Sequence, residues 1–456
     1  MPLFVPTRST YIESVAKYVC VLLFLILCVK VFLKTRELVT QPFIDEIFHL
    51  RQCQTYCAYK FDQWDNKITT PPGLYILGFV YSKLIEVITG LPKLCQDFNV
   101  LRSLNLVGGV VILPIVLSNF KKSNSRQYWT VNVLSQPLLF TYYFLFYTDV
   151  WSTILVVMSL SLINTRAHQW PILSSVTGFA SLWLRQTNIV WVAFIAVVYI
   201  DRKVYRTQSI SSRIHSFITT SFSNWLSLTG YAINFVLFVV FLKYNGGITF
   251  GDKENHQIQL HFVQVFYCFT FINFFTWPVW LSRSTMSRYI KFITGNYGLN
   301  LLFNAVAFAG IKYIIDNYTI VHPFLLADNR HYTFYIFKRL LSQKYSSLVA
   351  VPAYHFAMYN IVTSLARSRK LNLSPIGITA FIGATVLTIV PSPLFEPRYY
   401  LIPLVIFRVY IAPSYEAFHV VEFIWLNLIN LVTSYIFFTY QFTWLSEPNS
   451  IQRIIW

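Results

Sequence analysis

The sequence predicts an all-α fold: a multi-pass helical membrane protein of about 12 to 14 spans, judged by the length of chain needed to cross a bilayer. Three observations lead there. Only 12% of the 456 residues are charged, against 55% apolar and 18% aromatic. A water-soluble chain of this size carries about a quarter of its residues as Asp, Glu, Lys and Arg. Long apolar runs recur from Val15 to Trp444, and helices satisfy their own backbone groups in lipid. The net charge of +18 is divided among short basic clusters between the runs. That pattern follows the positive-inside rule and does not form a nucleic-acid stripe, so no nucleic-acid partner is expected.

The elements follow in order. Val15 to Leu33 lacks a small-residue cleavage site and reads as a retained signal anchor with a cytosolic N-terminus. Further spans are expected at Leu101–Leu117, Tyr128–Tyr147, Val150–Ile163, Pro171–Leu184, Ile189–Ile200, Asn224–Leu242 and Leu260–Leu281. The series ends with Tyr297–Ile315, Leu348–Leu365, Pro375–Val390, Leu401–Ile411 and Val420–Phe442. The stretch Ile68 to Asn99 is apolar but broken by Lys83, Glu86, Lys93 and Asp97. If it makes no net crossing, the basic loops Lys121–Arg126, Asp201–Arg213, Arg283–Lys291 and Arg367–Lys370 all fall in the cytosol; one crossing would put all four on the wrong side. Residues 34–100 are therefore read as one long luminal loop with membrane-surface helices, and 317–346 as a second luminal loop, within a single integral domain spanning 1–456.

With this sidedness most of the eighteen acidic residues become luminal, a bias that topology alone does not require. The six cysteines have no paired CxxC spacing, so neither a zinc site nor a disulfide framework is expected. No internal repeat is evident, which weakens a transporter built from two similar halves.

The densest chemistry lies in the first of these loops. If Ile44 to Cys57 is helical, Asp45, His49 and Gln52 share one face, with Phe43, Ile47 and Leu50 opposite. Such a helix is expected to lie on the membrane with its apolar side in the headgroup boundary and a carboxylate just above it. Acids at a helix start ordinarily offset the positive dipole end, which is the plain account of Asp45 and Glu46. The two point about 100° apart and cannot share one proton, so one is expected to act as base and the other to bind or orient. Asp149, at the junction of two runs, is either a solvated span end or a pocket wall.

Luminal cations run against the topogenic bias: Arg185, Arg330, Lys338, Arg339 and Arg398. They snorkel or pair with neighbouring acids, as Glu396 and Arg398 would, or they hold an anionic head group. The histidines show no HxxxH or HExxH spacing, and no GxGxxG or P-loop is present, so chemistry without a metal, cofactor or soluble nucleotide donor is expected. Asn317-Tyr-Thr and Asn372-Leu-Ser match the glycosylation acceptor pattern, which is too short to be specific.

The runs FIDEIFHLRQCQTYC (43–57), FDQWDNKITTPPGLY (61–75), FYTDVWS (146–152), LRQTNIVWV (184–192), GDKENH (251–256), HPFLLADNRHYTFYIFKR (322–339) and FEPRYYLIP (395–403) are collinear. Together they resemble the dolichyl-phosphate-glucose-dependent α-1,2-glucosyltransferases of the endoplasmic reticulum, which add the last glucose to the lipid-linked oligosaccharide. The resemblance implies the GT-C superfamily fold, a luminal active site, and dolichyl-phosphate-glucose, the dolichyl-diphosphate-linked oligosaccharide and membrane lipid as partners. It implies an acid of the first luminal loop as base: Asp45, with Glu46 the alternative. For the donor phosphate the expected residues are Arg330, Arg398, Lys338 and His331. For the sugars they are Asp149, Arg185, Asp328, Trp64 and His49. A transporter or flippase of a lipid-linked sugar, and a non-catalytic scaffold subunit, are the rival readings.

Overall fold

A backbone surrounded by apolar side chains satisfies its N–H and C=O groups most economically as a helix, and nearly every apolar run does so. A computed structural model describes residues 8–121, 129–164, 170–204, 209–254, 257–296, 298–367, 373–413, 415 and 417–456. Arg126, Arg369, Lys370, His256 and Asn372 lie outside them. Among the described residues, six helices are long and apolar enough to cross a membrane: Glu13–Leu38 within Arg8–Leu38, Phe98–Ser118, Trp225–Asn245, Leu299–Tyr318, Ser346–Arg367 and Ala417–Thr439. Asp149–Asn164, Pro171–Leu182, Asn188–Asp201 and Pro375–Ile389 are shorter apolar helices. Val263–Trp280 and Leu401–Tyr410 complete the bundle, with a core that includes Trp191, Phe275, Phe381 and Phe407. Outward-facing residues such as Leu22, Val29, Val236 and Leu302 are apolar and exposed, as a lipid-facing surface requires.

Two expected spans are corrected. Tyr128–Tyr147 is not one helix: Thr130–Leu134 ends before Pro137, a new short helix runs Pro137–Tyr142, and 143–148 forms a loop. Proline lacks the N–H that would continue the first segment and suits the first turn of the second. The expected Val420–Phe442 span stops at Thr439, and Gln441–Trp444 pairs antiparallel with Glu447–Arg453 in a hairpin.

Much of residues 34–100 packs with Leu101 and Phe146 around a second core that includes Leu50, Cys53, Tyr56, Leu74 and Tyr75, while Val39 and Phe43 join the main core. The expectation of no disulfide is wrong: Cys57 and Cys95 are bonded, closing the loop that carries helix Gly73–Thr89. The placement of the apolar faces is corrected too. Phe43 and Leu50 are buried in protein, so helix Glu46–Cys57 does not rest its apolar side on lipid. The exposed apolar stripe belongs instead to Gly73–Thr89, along Ile76, Val80, Leu84, Val87 and Ile88.

Gly73 and Gly251 explain why two of the quoted runs need glycine. A Cβ on Gly73 would stand 2.4 Å from the Trp183 carbonyl oxygen, to which the Gly73 N–H donates at 2.8 Å. This seats the start of its helix against the turn that leads to Arg185. A Cβ on Gly251 would collide with the Asn66 carbonyl oxygen, which accepts from the Asp252 N–H. Gln186 Nε2 donates to the carbonyls of Thr69 and Ile248 and so ties three loops together beside the site.

Candidate active site

Asp45 is the residue before helix Glu46–Cys57, the position where an aspartate usually caps the first turn. Here its side chain makes no capping bond. The carboxylate points to Arg398 instead, with Nη1 2.9 Å from Oδ2 across 353 residues of sequence, and Arg398 Nε donates to Glu396. Burial alone would push the Asp45 carboxyl up; Arg398, helped by His49 and His331, outweighs it and holds the group below the usual carboxylate range. Glu396 has the same balance and is likewise lowered.

His49 lies one turn on, its Nδ1 2.8 Å from the Tyr75 hydroxyl. Burial pushes it down to about 4 despite the neighbouring Asp45, so it is neutral at neutral pH. Tyr75 packs on Trp64, whose Nε1 is buried without a partner. Gln52 fixes the loop carrying Trp64, donating to the Gln63 carbonyl and accepting from the Asp65 N–H.

Asp149 opens helix Asp149–Asn164 and is 3% exposed. Its Oδ1 accepts from Arg185 Nη2 at 2.8 Å, leaving Asp149 Oδ2 and Arg185 Nε buried and unpartnered. Tyr399 lies between the two guanidinium groups, 5.7 Å from that of Arg185 and 5.9 Å from that of Arg398. Asp45, His49, Asp149, Arg185 and Arg398 thus belong to one electrostatic neighbourhood, with His331 at its edge.

The remaining expected residues stand further out. Arg330 is engaged by Asp328 at 2.7 Å, lies over Trp444 and bonds Gln452; Asp328 also lies 3.6 Å from His331 Nε2. Lys338 is exposed, its ammonium over Phe334, and no contact with the cluster is described. Glu46 is corrected as a candidate base. It is fully buried, chelated by Arg102 through Nε and Nη2, and also accepts from the Phe43 and Phe146 amides. Four donors use up the lone pairs of both oxygens.

Sequence reasoning missed Arg102, Tyr142, Tyr147 and Tyr399 as site residues, and it assigned no site residue to the last 50 positions. Those residues supply Trp444 and Gln452 to Arg330, and Trp456 to the Tyr332 ring and the Tyr142 hydroxyl. The runs FYTDVWS and FEPRYY carried Tyr147 and Tyr399 in plain view, while Tyr142 lies outside both; the tail offered only its alternation of apolar and polar residues.

The profile of the DIE2/ALG10 family matches residues 39–409. A Candida albicans protein named Dol-P-Glc:Glc(2)Man(9)GlcNAc(2)-PP-Dol alpha-1,2-glucosyltransferase is 54% identical over 97% of this chain and all of its own length. A Debaryomyces hansenii protein of the same name is 52% identical over 95% of this chain and 98% of its own. The human protein of that name is 32% identical over 91% and 93%. No solved structure matches. With the match running through the Asp45, Asp149, Arg185 and Arg398 positions, the chain belongs to the DIE2/ALG10 family.

Proposed function

We propose that this chain transfers glucose in α-1,2 linkage from dolichyl-phosphate-glucose to Glc(2)Man(9)GlcNAc(2)-PP-dolichol, with Asp45 as the general base. The carrying observation is the Asp45 carboxylate, withheld from its helix cap and held beside Arg398, in the same electrostatic neighbourhood as the unpartnered atoms of Asp149 and Arg185. Asp45 removes the acceptor hydroxyl proton as that oxygen attacks the anomeric carbon from the face opposite the phosphate. One displacement inverts the β-linked donor to an α product. A carboxylate of lowered pKa is a weak base toward a free hydroxyl, so the proton moves late, as the oxygen acidifies during bond formation.

The leaving phosphate is acidic enough to depart without a proton donor. Arg398 stabilises its growing charge, exchanging part of its hold on Asp45 for the phosphate oxygens, with His331 beside it. The Arg330–Asp328 pair holds the His331 segment from behind. Asp149 and Arg185 bind a sugar through their free atoms, and Trp64 and His49 line the same pocket.

The protein resides in the endoplasmic reticulum membrane as a GT-C-like bundle of about 12 to 14 spans, a number set by bilayer thickness. Its site faces the lumen. The Cys57–Cys95 disulfide, in the same region as Asp45, supports an oxidising compartment. The stripe Ile76–Ile88 supports a helix lying in the lumenal headgroup layer, and 317–346 is a second loop on that side.

Purified protein with synthetic donor and acceptor tests the chemistry. Asp45→Asn is expected to lower transfer by about 10²- to 10⁴-fold, the usual contribution of a general base; wild-type transfer by that variant would remove Asp45 from the role. Protease protection of a tag between residues 60 and 66 tests the sidedness.

A further inference from the structure

Ile44, next to Asp45, has φ of 53°. This is left-handed backbone, which a β-branched side chain enters only when its surroundings force it. The surroundings are visible. The Tyr147 hydroxyl donates to the Phe43 carbonyl at 3.2 Å and accepts from the Asp45 N–H at 3.1 Å, so a single phenol straddles Ile44. On the far side the Phe43 N–H donates to Glu46 Oε2, and Glu46 is itself fixed by Arg102. Tyr147 is 3% exposed, and its own carbonyl accepts from Asn105 Nδ2 at 2.8 Å, which anchors the phenol to helix Phe98–Ser118.

Relaxing Ile44 to ordinary extended backbone would swing the next residue. Asp45 has φ −64° and ψ −18°, and its carbonyl begins the helix by accepting from Phe48 and His49. A change of φ at Ile44 therefore rotates the Asp45 side chain away from Arg398 while leaving the helix intact. We propose that Tyr147 is a positioning residue: its hydroxyl holds the left-handed turn at Ile44 and thereby aims the Asp45 carboxylate at Arg398. Among the described residues its hydroxyl bonds only the backbone of residues 43 and 45, while its ring packs on His49 and Tyr142, so it acts through Asp45 and takes no part in proton transfer. The inference rests on the reading of Asp45 as base.

The test combines two positions. Tyr147→Phe is expected to lower kcat by about 10- to 100-fold, the size of effect produced by a small misplacement of a catalytic group, with KM for donor and acceptor within about twofold. Its acid limb of kcat against pH is expected to move upward, because an Asp45 carboxylate turned from Arg398 loses the cation that holds it down. Adding Ile44→Gly, which enters the left-handed region without strain, is expected to recover at least tenfold of that loss. Wild-type kcat in Tyr147→Phe, no recovery in the double variant, or an unmoved acid limb would each overturn the proposal. Should Tyr147→Phe fail to fold, Ile44→Gly against Ile44→Pro decides. Both remove the side chain, but proline fixes φ near −65°, so Ile44→Pro is expected to lose transfer and Ile44→Gly to keep at least a third of it. Equal activity in the two would refute the turn's role. An active Asp45→Asn variant would instead sink the base assignment, so the two failures are told apart.

Discussion

Arg398 Nη1 lies 2.9 Å from Asp45 Oδ2, and the same guanidinium bonds Glu396 through Nε. This one cation governs the protonation of both carboxylates. The folded Asp45 is ionised further into acid than an ordinary carboxylate because Arg398 outweighs the effect of burial. A base works when deprotonated, so kcat/KM, which reports the free enzyme, should fall only below the usual carboxylate range. Arg398→Gln leaves burial as the main influence, and its acid limb is expected to move upward. An acid limb unmoved by that substitution would mean that another group sets it.

His49 supplies a stability prediction at higher pH. Its folded value is about 4 against an ordinary 6.5, so the unfolded chain takes up a proton first as pH falls. Stability is therefore expected to decline from about pH 6.5 toward pH 4, and His49→Gln to flatten that part of the curve. Thermal unfolding in detergent across this range provides the measurement, with Tyr75→Phe as a control that removes the hydroxyl partner alone.

Glu46 and Arg102 are both fully buried, and each is the other's charge partner. Removing one strands the other in low dielectric, which costs about 3–5 kcal/mol. Glu46→Gln and Arg102→Met are each expected to lower the unfolding temperature markedly, and the double variant to cost far less than the two losses added. Additive losses would show that the pair is not a unit. Whatever protein remains folded should keep an unchanged acid limb, since all four acceptor sites of Glu46 are taken by Arg102 and two backbone amides and Asp45 is the proposed base.

What the sequence revealed and what it hid follow from the range of the interactions. Asp45, Asp149, Arg185 and Arg398 were legible because a charge among apolar runs is costly and because basic residues on that side oppose the topogenic pattern. The helices were legible for the same reason, except where Pro137 inside the Tyr128–Tyr147 run deserved more weight than its apolar neighbours. Nothing local pairs Glu46 with Arg102, 56 residues away, so the two adjacent acids looked equivalent until packing separated them. The same holds for Cys57 and Cys95, whose separation of 38 residues matches no motif. Ile44 gave no signal either, since its turn is imposed by a tyrosine 103 positions on, bonded to its two neighbours.

That disulfide makes its own prediction. Closing a loop of 38 residues restricts the unfolded chain by about 4 kcal/mol in the loop-entropy account. Cys57→Ser, Cys95→Ser and the double variant should therefore destabilise residues 34–100 to a similar degree. Alkylation of the unfolded, unreduced protein should label four of the six cysteines, since Cys20, Cys28, Cys53 and Cys268 are free. Six labelled thiols would show the bond to be absent.

Asp149 and Arg185 allow the most specific test of the proposed sugar-binding role. Their ion pair uses Oδ1 and Nη2, which leaves a buried acceptor, Oδ2, and a buried donor, Arg185 Nε, with no partner among the described residues. A sugar hydroxyl donates and accepts at once, so one hydroxyl satisfies both atoms, and leaving them bare is costly. Asp149→Asn keeps the shape but removes the charge, and a hydrogen bond to a charged group contributes about 1.5–3 kcal/mol, or roughly 10- to 100-fold in kcat/KM. Among donors lacking single glucose hydroxyls, and acceptors lacking single hydroxyls of the terminal glucose, one analogue should lose a comparable factor with the native enzyme. With Asp149→Asn that analogue should lose little more, because the interaction is already gone. If every analogue instead lost the same factor with both enzymes, Asp149 would be holding Arg185 in place without touching sugar.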